Sequence, residues 1–180
     1  GVSLPRPEYN KMMKDLIAAL KANGPRIKPK VRLLYTGGHA DNPEFFELLQ
    51  QNDAHVVSDN TGFGTRAADV LICEDGDPLE AIINYYFEEK PAATRQMGTQ
   101  VERMERLLDL VKQYKADGVV ASRLYMCDLW AFEHFLMRKR LHENNVPFLE
   151  LEVDYTPEGQ GQIKTRVQAF VESLADRQTA

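Results

Sequence analysis

Four short runs rich in aliphatic and β-branched residues, at 31–36, 54–58, 119–122 and 147–153, alternate along the chain with segments whose apolar residues recur at helical spacing. That alternation excludes most folds. Strands separated by helices run parallel, because each crossover returns the chain to the same end of the sheet, and right-handed crossovers place helices on both faces. The expectation is an α/β domain, doubly wound in the Rossmann or flavodoxin-like manner, with a four-stranded, mainly parallel sheet ordered 2-1-3-4.

The helical segments carry their own boundaries. Tyr9, Met12, Met13, Leu16, Ile17 and Leu20 form one apolar stripe ended by Asn23-Gly24-Pro25, which reads as a covering helix, and the basic stretch 26–30 reads as a solvated connector. Asn42 is an N-cap with Pro43 at the first helical position, and that helix runs to about Gln51. Asp77 with Glu80 and Thr99 with Glu102 are capping-box pairs. The first opens a helix through about Tyr86, and the second a long helix with Val101, Met104, Leu107, Leu108, Val111 and Tyr114 on its core face. Asp128 caps a helix that stops at Asn144-Asn145, while Ile163, Val167, Phe170, Val171 and Leu174 line the closing helix. The organisation is therefore an N-terminal helix and connector over 1–30, one α/β domain over 31–176 and a frayed tail over 177–180. Gly1 in place of an initiator methionine reads as a cleavage scar on a piece of a longer parent.

Charge and hydropathy narrow the partners. A net charge of −5 and no basic stripe argue against nucleic acid or an anionic membrane surface. Apolar runs of only a few residues and no charged-then-apolar leader argue against membrane insertion and export, so the expected location is the cytoplasm.

In a doubly wound sheet ligands bind beyond the carboxyl ends of the strands. The loops at 37–39, 59–66, 125–128 and 154–162 share that rim. Cys127 stands in it, at the exit of the third strand and the mouth of a helix whose unpaired N–H groups favour a thiolate. From spacing alone the sulfur could hold a metal cluster, attack a substrate or pack. Cys73 has no CxxC or CxH relation to it and reads as packing. Gly62-Phe63-Gly64-Thr65-Arg66-Ala67 matches a loose dinucleotide pattern, but glycines for a tight turn, with Arg66 held inward to meet an anion or a carboxylate, fit the position better. His39 at a strand end is a candidate acid–base group, whereas His55, His134 and His142 read as strand or helix-surface residues. Glu152 and Asp154 flank Val153 at the end of the fourth strand, solvated or on the rim. GxSxG, HExxH and P-loop patterns do not occur.

The order of several short segments resembles the C-terminal half of a subunit of the 2-hydroxyacyl-CoA dehydratase and benzoyl-CoA reductase family. They are Gly37-Gly38-His39-Ala40-Asp41-Asn42-Pro43, Ser58-Asp59 with Gly64-Thr65-Arg66, Asp77-Pro78-Leu79-Glu80-Ala81, Asp117-Gly118-Val119-Val120, Cys127-Asp128, Pro147-Phe148-Leu149-Glu150, Leu151-Glu152-Val153-Asp154 and Gly161-Gln162. The resemblance implies that Cys127, followed by Asp128, is one of three cysteine ligands of a [4Fe-4S] cluster, the other two lying in a preceding domain, so that this chain alone holds no cluster. It further implies a homologous second subunit, an ATP-dependent iron–sulfur activator protein and an acyl-CoA substrate reduced by one electron to a ketyl-type radical. His39, Arg66 and Gln162 are then the candidate catalytic groups on the rim. A diverged, non-catalytic subunit-interaction or acyl-CoA-binding module, or a stand-alone flavodoxin-like domain, are the alternatives.

Overall fold

The computed structural model describes residues 3–24, 27–38, 42–51, 53–154 and 160–179, the side chains of Gln160 and Thr179 excepted. Its sheet contains β1 (Val31–Gly37), β2 (Ala54–Asn60), β3 (Gly118–Leu124) and β4 (Phe148–Val153) in the order β2-β1-β3-β4, with every pairing parallel. This is the expected doubly wound arrangement. Around it lie α1 (Arg6–Asn23), α2 (Pro43–Leu49), α3 (Pro78–Asn84), α4 (Gln100–Gln113), α5 (Asp128–Glu143) and α6 (Gln160–Thr179).

The strand period of two divides the core. Val31, Leu33 and Tyr35 face one side with Val120 and Leu151, where Leu49 of α2 and Val167, Val171 and Leu174 of α6 cover them. Leu34, Val119 and Ala121 face the other, under Leu107, Leu108 and Val111 of α4 and Met137 and Leu141 of α5. Tyr35 reaches Ser122 Oγ at 2.5 Å, and burial pushes its phenol up to about 12. Arg32 joins the sheet to the end of α4 by donating to the Tyr114 and Lys115 carbonyls.

Several local expectations are corrected. The stripe of α1 is not covered by the described residues: Met12, Leu16 and Leu20 are each at least half exposed. Val101 is exposed at the start of α4, where the helix has not yet reached the sheet. Thr99 is the N-cap of α4 but its hydroxyl donates to the Gln96 carbonyl and accepts from Arg103, so no capping box forms. Asp77 does cap α3, accepting from the backbone N–H of Leu79 and Glu80. Cys127, not Asp128, occupies the N-cap of α5, and α6 continues as far as Thr179. Cys73 is exposed, not packed.

Candidate functional site

The chain leaves β3 through a tight turn. Tyr125 N–H still bonds the Val153 carbonyl at 2.9 Å, and Cys127 N–H returns to the Leu124 carbonyl at 3.1 Å. Closing that turn puts Met126 at φ 61°, a left-handed conformation that disfavours any side chain. The result is a sulfur presented at a fixed point. Cys127 is half-buried, and its carbonyl accepts the first helical bond, from Ala131 N–H at 2.9 Å. The N–H groups of Asp128, Leu129 and Trp130 therefore start α5 without helical partners, and the Cys127 side chain makes no cap hydrogen bond to them. Asp128 adds a carboxylate to the first turn.

Trp130, one turn in, stacks edgewise on His134 at 5.9 Å. A β-carbon added at Gly38 would sit 3.6 Å from the Trp130 ring nitrogen, so the indole closes over the end of β1. Gly37 is more constrained: at φ 128°, its absent side chain leaves room for the Ser122 backbone. His39 lies outside the described residues.

The glycine loop after β2 is organised by its own side chains. Asp59 accepts from the N–H and hydroxyl groups of Thr61 and Thr65, and a side chain at Gly64 would fall on that carboxylate. At Gly62 a β-carbon would come 2.9 Å from the Arg66 guanidinium, so the glycine lets Arg66 fold inward as expected. Arg66 lines a small cavity below Trp130 with Thr36, Asn60, Arg103, Arg106 and Glu133. Gln162 is not brought there; it is exposed in the first turn of α6.

Three buried polar groups escaped the sequence reading. Arg103, 7% exposed, makes a two-pronged pair with Glu133, 3% exposed, at 2.7 and 2.9 Å, and its remaining nitrogen reaches Thr99 Oγ1 and the Ala93 and Gln96 carbonyls. Both sit on apolar stripes, Arg103 with Leu107 and Leu110, Glu133 with Met137 and Leu141. A charge in register with a stripe was the available signal. His134, read as a surface residue, is fully buried between Trp130 and Phe148; burial pushes it below the ordinary histidine value despite Glu150 Oε1 at 3.4 Å from Nδ1. The 3.4 Å approach is an ion-pair distance and leaves both ring nitrogens without a hydrogen bond. Glu150 is held below the usual carboxylate range, its own desolvation being outweighed by Arg138 and by His134. Glu152 pairs with Arg123.

A parallel sheet ordered 2-1-3-4, with Cys127 at the mouth of α5 and a small basic cavity lined in part by Trp130, defines a doubly wound α/β domain. The chain belongs to the 2-hydroxyglutaryl-CoA dehydratase D-component family, whose model matches residues 1–174. It is similar to a protein of Escherichia coli described as a dehydratase subunit, 29% identical over 84% of this chain and 39% of the relative. It also resembles the beta subunit of (R)-phenyllactyl-CoA dehydratase of Clostridium sporogenes, 24% identical over 94% of this chain and 45% of the relative. A benzoyl-CoA reductase subunit of Thauera aromatica is 22% identical over 97% of this chain and 46% of the relative. The chain thus spans less than half the length of these relatives.

An iron–sulfur cluster can be tested against the donors present. Clusters are held by several thiolates, and among the described residues no three His, Cys, Asp or Glu side chains converge on a metal position. Cys127, partly exposed at the N-cap of α5, fits the part of one ligand; Cys73, exposed and near the Asp75 carbonyl, belongs to a different segment. No helix among the described residues is long and apolar enough to cross a membrane.

Proposed function

We propose that this chain is the C-terminal part of a subunit of an acyl-CoA dehydratase or reductase, and that Cys127 is its one ligand to a [4Fe-4S] cluster completed by cysteines outside the described residues. The observation that carries this reading is the N-cap position of Cys127, set by the left-handed turn at Met126, at the end of α5 whose first N–H groups have no helical acceptor. Bound there, a cluster supplies a single electron at low potential to an acyl-CoA thioester. The protein's part is positional. The backbone N–H groups of residues 128–130 are the donors that would stabilise anionic sulfur. On this reading His39, beyond the end of β1, and Gln162, in α6, are the polar groups that meet substrate on the rim, with a homologous second subunit opposite and an ATP-dependent activator delivering the electron.

Anaerobic purification of the full-length subunit with its partner tests the reading. It should yield about four irons per cluster with broad sulfide-to-iron absorbance. Colourless, iron-free protein showing no acyl-CoA turnover with the activator would count against it. The exposed stripe of α1 favours a second reading, a non-catalytic interaction module, and iron-free protein that still binds its partner subunit would select that one.

A further inference from the structure

Two polar side chains lie side by side where neighbouring strands end. Thr36 of β1 and Asn60 of β2 are register partners in the parallel ladder, and so share one face of the sheet, that of Leu34 under α4. Thr36 is fully buried, and among the described residues neither its hydroxyl nor the buried amide oxygen of Asn60 has a hydrogen-bond partner. They do not bond each other. Burying such groups forfeits their hydration, which is why nearly all buried polar atoms in folded proteins are paired with protein or with ordered water.

A third group joins them from α4. Arg106 pairs with Asp69, and its Nε is buried without a hydrogen bond. Thr36, Asn60 and Arg106 all line the cavity beneath Trp130, where Met104 and Met137 supply the apolar wall. The carboxylates nearby are already engaged, Glu133 by Arg103 through both oxygens and Asp69 by Arg106. The cavity encloses about 10 Å³, room for one water and for nothing larger. Its polar lining suits that occupant: Asn60 Oδ1 can only accept, Arg106 Nε–H can only donate, and the Thr36 hydroxyl can do either.

We propose that this cavity is a binding site for one structural water, which donates to Asn60 Oδ1, accepts from Arg106 Nε–H and makes its third bond to the Thr36 hydroxyl. About three bonds is typical of a buried water, and waters so held are costly to remove. This one ties the ends of β1 and β2 to α4 one residue before Gly37, whose own close approach to Ser122 holds β1 against β3. The inference stands apart from the cluster reading, since it needs neither iron nor a partner.

Its test is a crystal structure of this chain together with water oxygen-17 magnetic relaxation dispersion, which counts waters held for longer than the molecule takes to tumble. The crystal should show a density peak within about 3 Å of Thr36 Oγ1, Asn60 Oδ1 and Arg106 Nε. Thr36→Val, which removes the hydroxyl at nearly unchanged volume, should lose that peak and lower the count of long-lived waters by one, while Thr36→Ser should keep both. Should Thr36→Val not fold, as judged by circular dichroism, Asn60→Leu serves instead, with the same loss expected. A cavity without such a peak in the unsubstituted chain, or an undiminished count in the folded variant, overturns the proposal.

Discussion

Met126 is the residue on which the presentation of Cys127 turns, and its φ of 61° is a cost the fold carries locally. The left-handed region disfavours a side chain by about 1–2 kcal/mol, whereas glycine escapes that and loses about 0.5–1 kcal/mol of backbone freedom. Met126→Gly should therefore leave stability within about 1 kcal/mol of the parent, while Met126→Val, branched at the β-carbon, should lose about 2 kcal/mol in urea unfolding. His134 makes a second, pH-dependent prediction. Its folded value lies below the ordinary 6.5, so between those two values the unfolded chain binds a proton that the folded chain refuses. Stability should then be complete above about pH 6.5 and fall as pH drops toward the folded value, by at most about 1.4 kcal/mol per pH unit. His134→Phe should remove that loss, as read from urea midpoints across the window. Glu150, held below its ordinary value, contributes stability that is lost as pH falls through its folded value.

Among the elements, α4 and α5 are pinned together by Arg103 and Glu133, both buried. Glu133→Gln leaves a desolvated guanidinium with a poorer partner and should cost about 3 kcal/mol in urea unfolding, far more than Glu105→Gln at the exposed pair with Arg140. A cost below about 1 kcal/mol would mean that the carbonyls of Ala93 and Gln96 suffice for Arg103. Helix α1 behaves differently: Leu16→Lys with Leu20→Lys should leave unfolding unchanged, since both are half exposed, yet reduce binding of an apolar dye. The contrast shows what periodicity conveys. Strand runs and helix stripes were legible because one face of each must meet something apolar, and the 2-1-3-4 order followed from parallel crossovers. A stripe does not say what covers it, which is why α1 read as covering material. Arg103, Glu133 and His134 were hidden for a related reason: their partners lie on other elements, 30 residues apart in the case of the ion pair, and only the packed fold brings them together.

At the scale of the molecule, the sheet delivers two different things to one rim. Gly37 and Ser122 lock the ends of β1 and β3 side by side, so that the turn bearing Cys127 and the cavity bearing Arg66 are built on one rigid platform. Gly37→Ala would drive a methyl group into the Ser122 backbone and should destabilise the whole domain by about 3 kcal/mol or more, measured by thermal unfolding. The position of Cys127 on the rim was legible in the sequence; the basic cavity was not, apart from the inward turn of Arg66, because Thr36, Asn60 and Arg106 carry no motif. What the platform is for rests on the sulfur. The most direct measurement is iron content and the electron paramagnetic resonance signal of the full-length subunit, purified anaerobically with its partner, for Cys127→Ser against Cys73→Ser. Loss or marked reduction of both in Cys127→Ser, with Cys73→Ser unchanged, is the predicted result; a Cys127→Ser protein with undiminished iron and an unaltered signal would contradict the assignment.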